Sequence, residues 1–316
     1  MPRLSRRALL ASFWTMACTG RPTGEVGGRT MGTRWSLRAI GAGEPHRRLI
    51  QQHLDLREAQ FSHWSDDSPL SRFNTQPGTD WFDVPVEVVQ ALEAMRRVAA
   101  ETEGALDATC APLVDAWGFG RRKPGSPPAR PPSDRELAGL RAQCGWHLLE
   151  WRHERPALRK HHPLLRINLA SIVEGFVLDE LRPRLIQTGL ASFLLELGGE
   201  VLAQGLAPDG SPWCIGIQAP DQPRGVSLQS LPLLNACAAT SGSYRERREF
   251  KGETIHHLID PRSGRPARHR AVSVTVVDTS ATRADALATA FMILGPEAGR
   301  DRAKALGVNA FWVIAA

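Results

Sequence analysis

The 316-residue sequence predicts an α+β fold built mainly on antiparallel sheet, and three stretches carry that expectation. In "SFLLELGGEVLAQG" two apolar runs flank Gly198-Gly199 at hairpin spacing, and "PWCIGIQAP" adds a third strand-like run to make a meander. "VSVTVVD", residues 272–278, reads as another strand, after which residues 284–295 switch to helical periodicity. There is no internal repeat, no G-x-G-x-x-G and no G-x-x-x-x-G-K-[ST], so a Rossmann or Walker nucleotide site has no support.

From the N-terminus, "MPRLSRRALLASFWTMACTG" has a positive start, an apolar run and small residues near a cysteine, the layout of an export signal. "SRRALLA" resembles a twin-arginine signal, and "TMAC" resembles a lipobox in which Cys18 becomes the lipid-bearing first residue. The expectation is an export signal at 1–17, a tether at 18–30 and a functional domain at 31–316. The mature chain would then sit on the periplasmic side of a bacterial membrane, anchored through Cys18. Removing residues 1–17, which hold Arg3, Arg6 and Arg7 and no acid, lowers the formal charge from +6 to +3. That is too little to predict nucleic-acid binding without a basic run beside stacking aromatics. No later stretch reaches the roughly 20 apolar residues that span a bilayer.

Hydrophobic content of 42% is ordinary for a globular chain, which at this length folds as one large domain or as two packed lobes. Val88, Val89, Leu92, Met95 and Ala99 recur at helical spacing between Pro85 and Gly104, predicting a helix over 86–103. "RRKPGSPPARPPS" at 121–133 is too rich in proline and charge to pack and reads as an exposed loop. Ser133 and Glu136 have capping-box spacing for the short helix that follows. Val177, Leu181 and Leu185 suggest another helix, which Pro183 should interrupt. Cys110, Cys144, Cys214 and Cys237 are widely spaced with no C-x-x-C, and are read as mostly buried small residues.

Two places carry chemistry. "ETIHHLIDPRSGRP" sets His256 and His257 side by side before an Asp-Pro turn, and on a strand only one of the two can face a given site. In "TRADALATAF", Asp285 and Thr289 lie four residues apart, hence on one helix face. A carboxylate and a hydroxyl, completed by water and substrate phosphates, is how magnesium is usually held. Taken alone, the same pair also describes a solvated face or a first helical turn.

Five segments, in order across nearly all of the mature chain, resemble the FAD:protein FMN transferases, the ApbE family. They are "MGTRWSL", "FSHWSDDSPLSRFN", "GALDATCAPLVDAWGFG", "INLASIVEGFVLDEL", and "ATSGSYRERREFKGETIHHLIDPRSGRP" running into "VSVTVVDTSATRADALATAF". The resemblance implies two interleaved lobes with FAD in the cleft between them. It also implies Mg²⁺-dependent transfer of FMN from FAD to a threonine or serine hydroxyl of a partner protein, with release of AMP. The acceptors would be exported or membrane redox proteins. By the same resemblance Met31 and Trp64 contact the isoalloxazine ring, or pack into the core. Asp107, Glu174, Thr240, Ser241, Gly242 and Asp260 fall at flavin-pocket positions. Asp285 and Thr289 fall on the metal pair, with the Ala170 carbonyl as a further ligand. His257 matches the family's histidine before x-x-Asp-Pro and would be the base, leaving His256 exposed on the opposite face. "NLASIVEG" departs from Asp-Leu-Gly-Gly-x-x-Lys-Gly: Glu174 replaces lysine, and Asn168 removes a negative charge near the metal. An FAD pyrophosphatase, or an FAD-binding lipoprotein without turnover, would use the same apparatus.

Overall fold

The computed structural model describes residues 23–121, 130–218, 227–244, 246–250 and 253–315. The expected export signal, Cys18, and residues 122–129 of the Pro-rich loop lie outside them. The chain opens with the hairpin β1 (Gly24–Thr30) and β2 (Thr33–Ala39), then α1 (Glu44–Phe61), α2 (Pro69–Thr75), β3 (Phe82–Asp83), α3 (Val86–Glu101), α4 (Ala111–Ala116) and α5 (Asp134–Arg141). Next come β4 (Leu149–Arg152), β5 (Ala157–Lys160), α6 (Val173–Gln187), β6 (Phe193–Leu197), β7 (Glu200–Gln204), β8 (Trp213–Gln218), β9 (Ser227–Leu233) and β10 (Ala236–Gly242). It ends with β11 (Arg247–Phe250), β12 (Glu253–His256), β13 (Ile259–Asp260), β14 (Arg265–Pro266), β15 (Ala271–Asp278), α7 (Ala281–Leu294), α8 (Pro296–Leu306) and β16 (Asn309–Ile314).

The frame is a seven-stranded sheet in the order β1-β2-β6-β7-β10-β15-β16, antiparallel at every step. Strand alternation gives it two different faces. Leu37, Leu195, Leu202, Val274 and Val276 point to one side and bury against Ile50, Leu92, Val177, Leu287 and Phe291 of α1, α3, α6 and α7. Val201, Ala203 and Ala238 point to the other and are covered by Trp213, Ile215, Ile217, Leu231 and Leu233 of the β8–β9 hairpin. A third, smaller cluster of Leu113, Trp117, Leu137, Ile255 and Ile259 ties α4 and α5 to β12 and β13, far along the chain. That long-range exchange is what interleaves the lobes of this α+β fold.

Several expectations are corrected. The "PWCIGIQAP" strand does not extend the meander: β7 pairs with β10, while β8 pairs with β9 alone. With Trp213, Ile215 and Ile217 all on one face, β8 lies across the sheet rather than at its edge. From Gly24 onward the expected 18–30 tether is strand β1 of the sheet. Pro183 does not break α6, because it stands on the exposed face, where the carbonyl it leaves unbonded can turn to water. α7 begins at Ala281, ahead of the expected start, because the Ser280 hydroxyl caps it by accepting from Arg283 N at 3.2 Å. The four described cysteines are free thiols, and only Cys237 is fully buried, with Cys110 and Cys144 partly so and Cys214 exposed, where mostly buried residues were expected. The α5 capping box and the α3 helix are as expected. Among the described residues no helix is long and apolar enough to cross a membrane.

Candidate active site

A cleft of about 380 Å³ opens between the main core and the small third cluster, with Met31, Met95 and Leu106 on one side and Cys110, Val114, Phe119 and Ile259 on the other. A neighbouring cavity of about 930 Å³ is larger, but the chemistry-bearing side chains converge on the smaller one.

The first end is built from a strained turn and a half-exposed ring. Met31 and Gly32 join β1 to β2 with φ of 48° and 73°, the two positive values of a type I′ hairpin. A non-glycine residue held there costs energy, and Glu58 of α1 holds it, accepting from Met31 N at 2.9 Å and from the Thr30 hydroxyl at 3.1 Å. Trp64 follows α1 in a loop tied by the Ser62 hydroxyl, which accepts from Trp64 N and Ser65 N, both at 3.2 Å. Its indole is 45% exposed at the cleft, an unusual cost for so large an apolar group unless something covers it. The His63 ring lies 4.9 Å from it, and burial, aided by Arg121, lowers the His63 pKa, so this imidazole stays neutral. Asp107 Oδ1 accepts from Thr109 N at 2.8 Å and Thr109 Oγ1 at 2.7 Å, while burial pushes its pKa up.

The other end is the contact of α6 with α7. Asp285 and Thr289 project from successive turns of α7, and Asp285 is buried. Asp285 Oδ2 accepts from Gly175 N in the first turn of α6 at 3.1 Å, where the helix dipole favours a carboxylate. Thr289 Oγ1 shares a 3.0 Å hydrogen bond with Ser241 Oγ at the end of β10, and Thr240 Oγ1 bonds Thr275 Oγ1 at 2.8 Å. Asn168 Oδ1 accepts from Ala170 N at 2.8 Å, an Asx turn that sets Ala170, Ser171 and Glu174 against the cleft. The amide oxygen thus performs the turn-making role open to an aspartate, without its charge. A carboxylate, a hydroxyl and a backbone carbonyl are hard oxygen donors, a set that fits magnesium.

His257 follows β12. Its N–H donates to the Glu246 carbonyl at 3.2 Å, and its Nδ1 lies 3.2 Å from the same oxygen. A carbonyl only accepts, so Nδ1 carries the proton and the neutral ring has its lone pair on Nε2. His256 is not exposed as expected: its Nδ1 is buried without a hydrogen-bond partner among the described residues. Burial, reinforced by His257, lowers its pKa to about 4. Asp260 is not brought into the cleft either. It lines the larger cavity, where its carboxylate caps Arg262 N at 2.9 Å and pairs with that residue's guanidinium.

Every other expected residue, Met31, Trp64, Asp107, Ala170, Glu174, Thr240, Ser241, Gly242, His257, Asp285 and Thr289, lines this one cleft. Among the lining residues that sequence reasoning missed are the ionisable His63, Glu246 and the buried Glu200. Glu200 directly follows the Gly198-Gly199 turn, and an acid opening an apolar strand was a signal that hairpin reasoning passed over.

The model of the ApbE family matches residues 31–312. The FAD:protein FMN transferase of Vibrio cholerae is 36% identical over 315 residues, covering 96% of this chain and 92% of its own. That of Escherichia coli is 33% identical over 293 residues, covering 90% and 82%. Among solved structures, the flavin transferase ApbE of Vibrio cholerae superposes with a TM-score of 0.80 at 35% identity, over 93% of this chain and 94% of that one. The apo flavinyl transferase ApbE of Pseudomonas stutzeri gives 0.83 at 34% identity, over 95% and 94%. Sequence and fold agree over the same span, nearly the whole of the folded chain, and on that agreement this chain belongs to the ApbE family.

Proposed function

We propose that this chain transfers FMN from FAD to a threonine or serine hydroxyl of a partner protein and releases AMP. The observation that carries the reading is the meeting of Met31 and Trp64, the Asp285–Thr289 pair, and His257 in one cleft. A polarisable thioether and an indole face suit a flat, electron-poor flavin. Asp285, Thr289 and the Ala170 carbonyl would hold Mg²⁺, which when bound neutralises charge on the pyrophosphate. His257 Nε2 takes the proton of the acceptor hydroxyl as that oxygen bonds to the phosphorus nearer riboflavin. The bond from this phosphorus to the bridging oxygen breaks, and AMP departs with that oxygen. Positioning by the cleft and charge neutralisation supply most of the acceleration in such transfers.

The test is incubation of the mature chain with FAD, Mg²⁺ and an acceptor carrying a threonine-containing target segment. A transferase yields fluorescent flavin on the acceptor and AMP in equal amounts, and Asp285→Ala abolishes both. AMP with free FMN would make it a pyrophosphatase, and neither product a binding protein. The proposed setting is the periplasmic side of a bacterial membrane, with the chain anchored through a lipidated Cys18 and acting on exported or membrane redox proteins. Mass spectrometry of the native N-terminus checks this: a chain that starts beyond Cys18, or keeps residues 1–17, refutes the anchor.

A further inference from the structure

Behind the segment that carries His257, the cavity of about 930 Å³ is rimmed by Arg262, Arg265, Arg268, Arg270 and Arg300. Two acids, Asp260 and Glu297, line it with them, and Asp260 is engaged by Arg262. Arg265 and Arg268 reach to Asp134 and Glu253, carboxylates whose side chains are 88% and 66% exposed, and Arg270 Nη2 donates to the Ala315 carbonyl at 2.9 Å. Ion pairs this exposed contribute little, so their guanidinium groups can take new carboxylate partners at small cost. Beneath them the floor is apolar, with Trp117, Ile255 and Ile314. Forked donors around an apolar floor suit carboxylates carried on a peptide that also presents apolar atoms.

The cleft next door has the opposite sign: Asp107, Glu174, Glu200, Glu246 and Asp285 line it against two histidines. An acidic partner is therefore steered to the arginine rim and not to the cleft mouth. The two cavities share a wall. Ile259 and Pro261 line the cleft, Asp260 and Arg262 line the basic cavity, and Ile293 of α7 lines both. We infer that the arginine-rimmed cavity docks an acidic segment of the flavin-accepting protein, presenting a neighbouring hydroxyl to the cleft; this rests on the transferase reading.

The probe is a fluorescein-labelled decaglutamate peptide, titrated by anisotropy into the mature FAD-loaded chain, with decaglutamine as the neutral control. Arg265→Glu/Arg268→Glu should weaken decaglutamate binding at least tenfold. The same reversal at the exposed Arg47 and Arg48 of α1 should leave it within twofold, and FAD affinity should not change in either. Rising salt should weaken the wild-type complex. Equal binding of decaglutamine, or decaglutamate binding indifferent to the Arg265/Arg268 reversal, overturns the inference. So does arginine-dependent binding to phosphatidylglycerol vesicles with no binding of the peptide, which would make this a lipid surface. AMP release in a parallel sample with Mg²⁺ and the threonine-containing acceptor is a separate readout: wild-type chain that binds FAD but releases no AMP there removes the assignment to a flavin acceptor, even where decaglutamate binds.

Discussion

Gly175→Ala puts the α6–α7 contact to a test in which two physical effects have opposite signs. A Cβ at Gly175 would lie 2.3 Å from the Ala281 carbonyl oxygen, 2.6 Å from its carbon and 2.9 Å from Asp285 Cβ. Ordinary contact begins near 3.4 Å, so the helices would have to part by about 1 Å where Val177, Ala281 and Ala284 are already buried. Overpacking of this kind costs about 1–3 kcal/mol. Alanine for glycine in a helix otherwise stabilises by up to about 1 kcal/mol. Even against the full propensity gain the expected net result is a loss of up to about 2 kcal/mol in urea unfolding, whereas propensity alone predicts a gain. The displacement also pulls Gly175 N away from Asp285 Oδ2, so the Mg²⁺ concentration for half-maximal FAD turnover should rise. A variant as stable as the wild type or more so, with an unchanged Mg²⁺ curve, would refute the reasoning.

Trp64→Ala should raise the FAD dissociation constant by a factor of about 5 or more, since an aromatic stack is worth about 1 kcal/mol. Flavin fluorescence titration measures this, and unchanged affinity in a folded variant would assign the indole to packing. His257→Ala should slow flavin transfer roughly 10²- to 10⁴-fold while FAD still binds, and loss of FAD binding instead would mean that the ring positions substrate rather than takes a proton. His256 gives a pH signature. Its folded pKa, about 4, lies below the ordinary 6.5, so the unfolded chain binds the proton first as pH falls. Stability should then drop between pH 6.5 and 4 by up to about 1.4 kcal/mol per pH unit relative to His256→Leu. Urea unfolding of both at pH 7.5 and 5 measures it, and a difference independent of pH would refute a buried neutral ring.

The site was more legible in the sequence than the fold around it. Helical spacing puts Asp285 and Thr289 on one face, but only the resemblance to the ApbE family singles out that pair, and His257 before x-x-Asp-Pro, as site residues; such short local motifs are what a sequence preserves most directly. Asp260 sits only three residues beyond His257, yet the turn at 260–264 rolls its carboxylate into Arg262 and the other cavity. His256 faces away from Ile255 and is enclosed by the chain that returns through Ala267 and His269, a fold-back that strand alternation cannot report. The same holds for β8: its one-sided pattern announces a half-buried strand but not which surface buries it. The Met31-Gly32 turn was within reach, since methionine before glycine between two strand-like runs fits a type I′ hairpin. What could not be read was Glu58, delivered from the far end of α1 to hold a residue that would otherwise avoid that conformation.

The anchoring of Asp285 has a consequence for how a large substrate gets in and out. The helix that bears it is buried against the sheet, α3 and α6, and is tied to β10 through Thr289 and Ser241. Amide protons there should exchange with solvent only when the whole domain unfolds. The loop of His63 and Trp64 is tied instead by the Ser62 hydroxyl and carbonyl, within one short stretch of chain, and by the solvent-exposed pair of Asp66 with Arg121, so it can open at far lower free energy. The cleft is then a vise with one fixed jaw. Substrate traffic is timed at the tryptophan rim, and the phosphate end keeps its shape whether or not anything is held there.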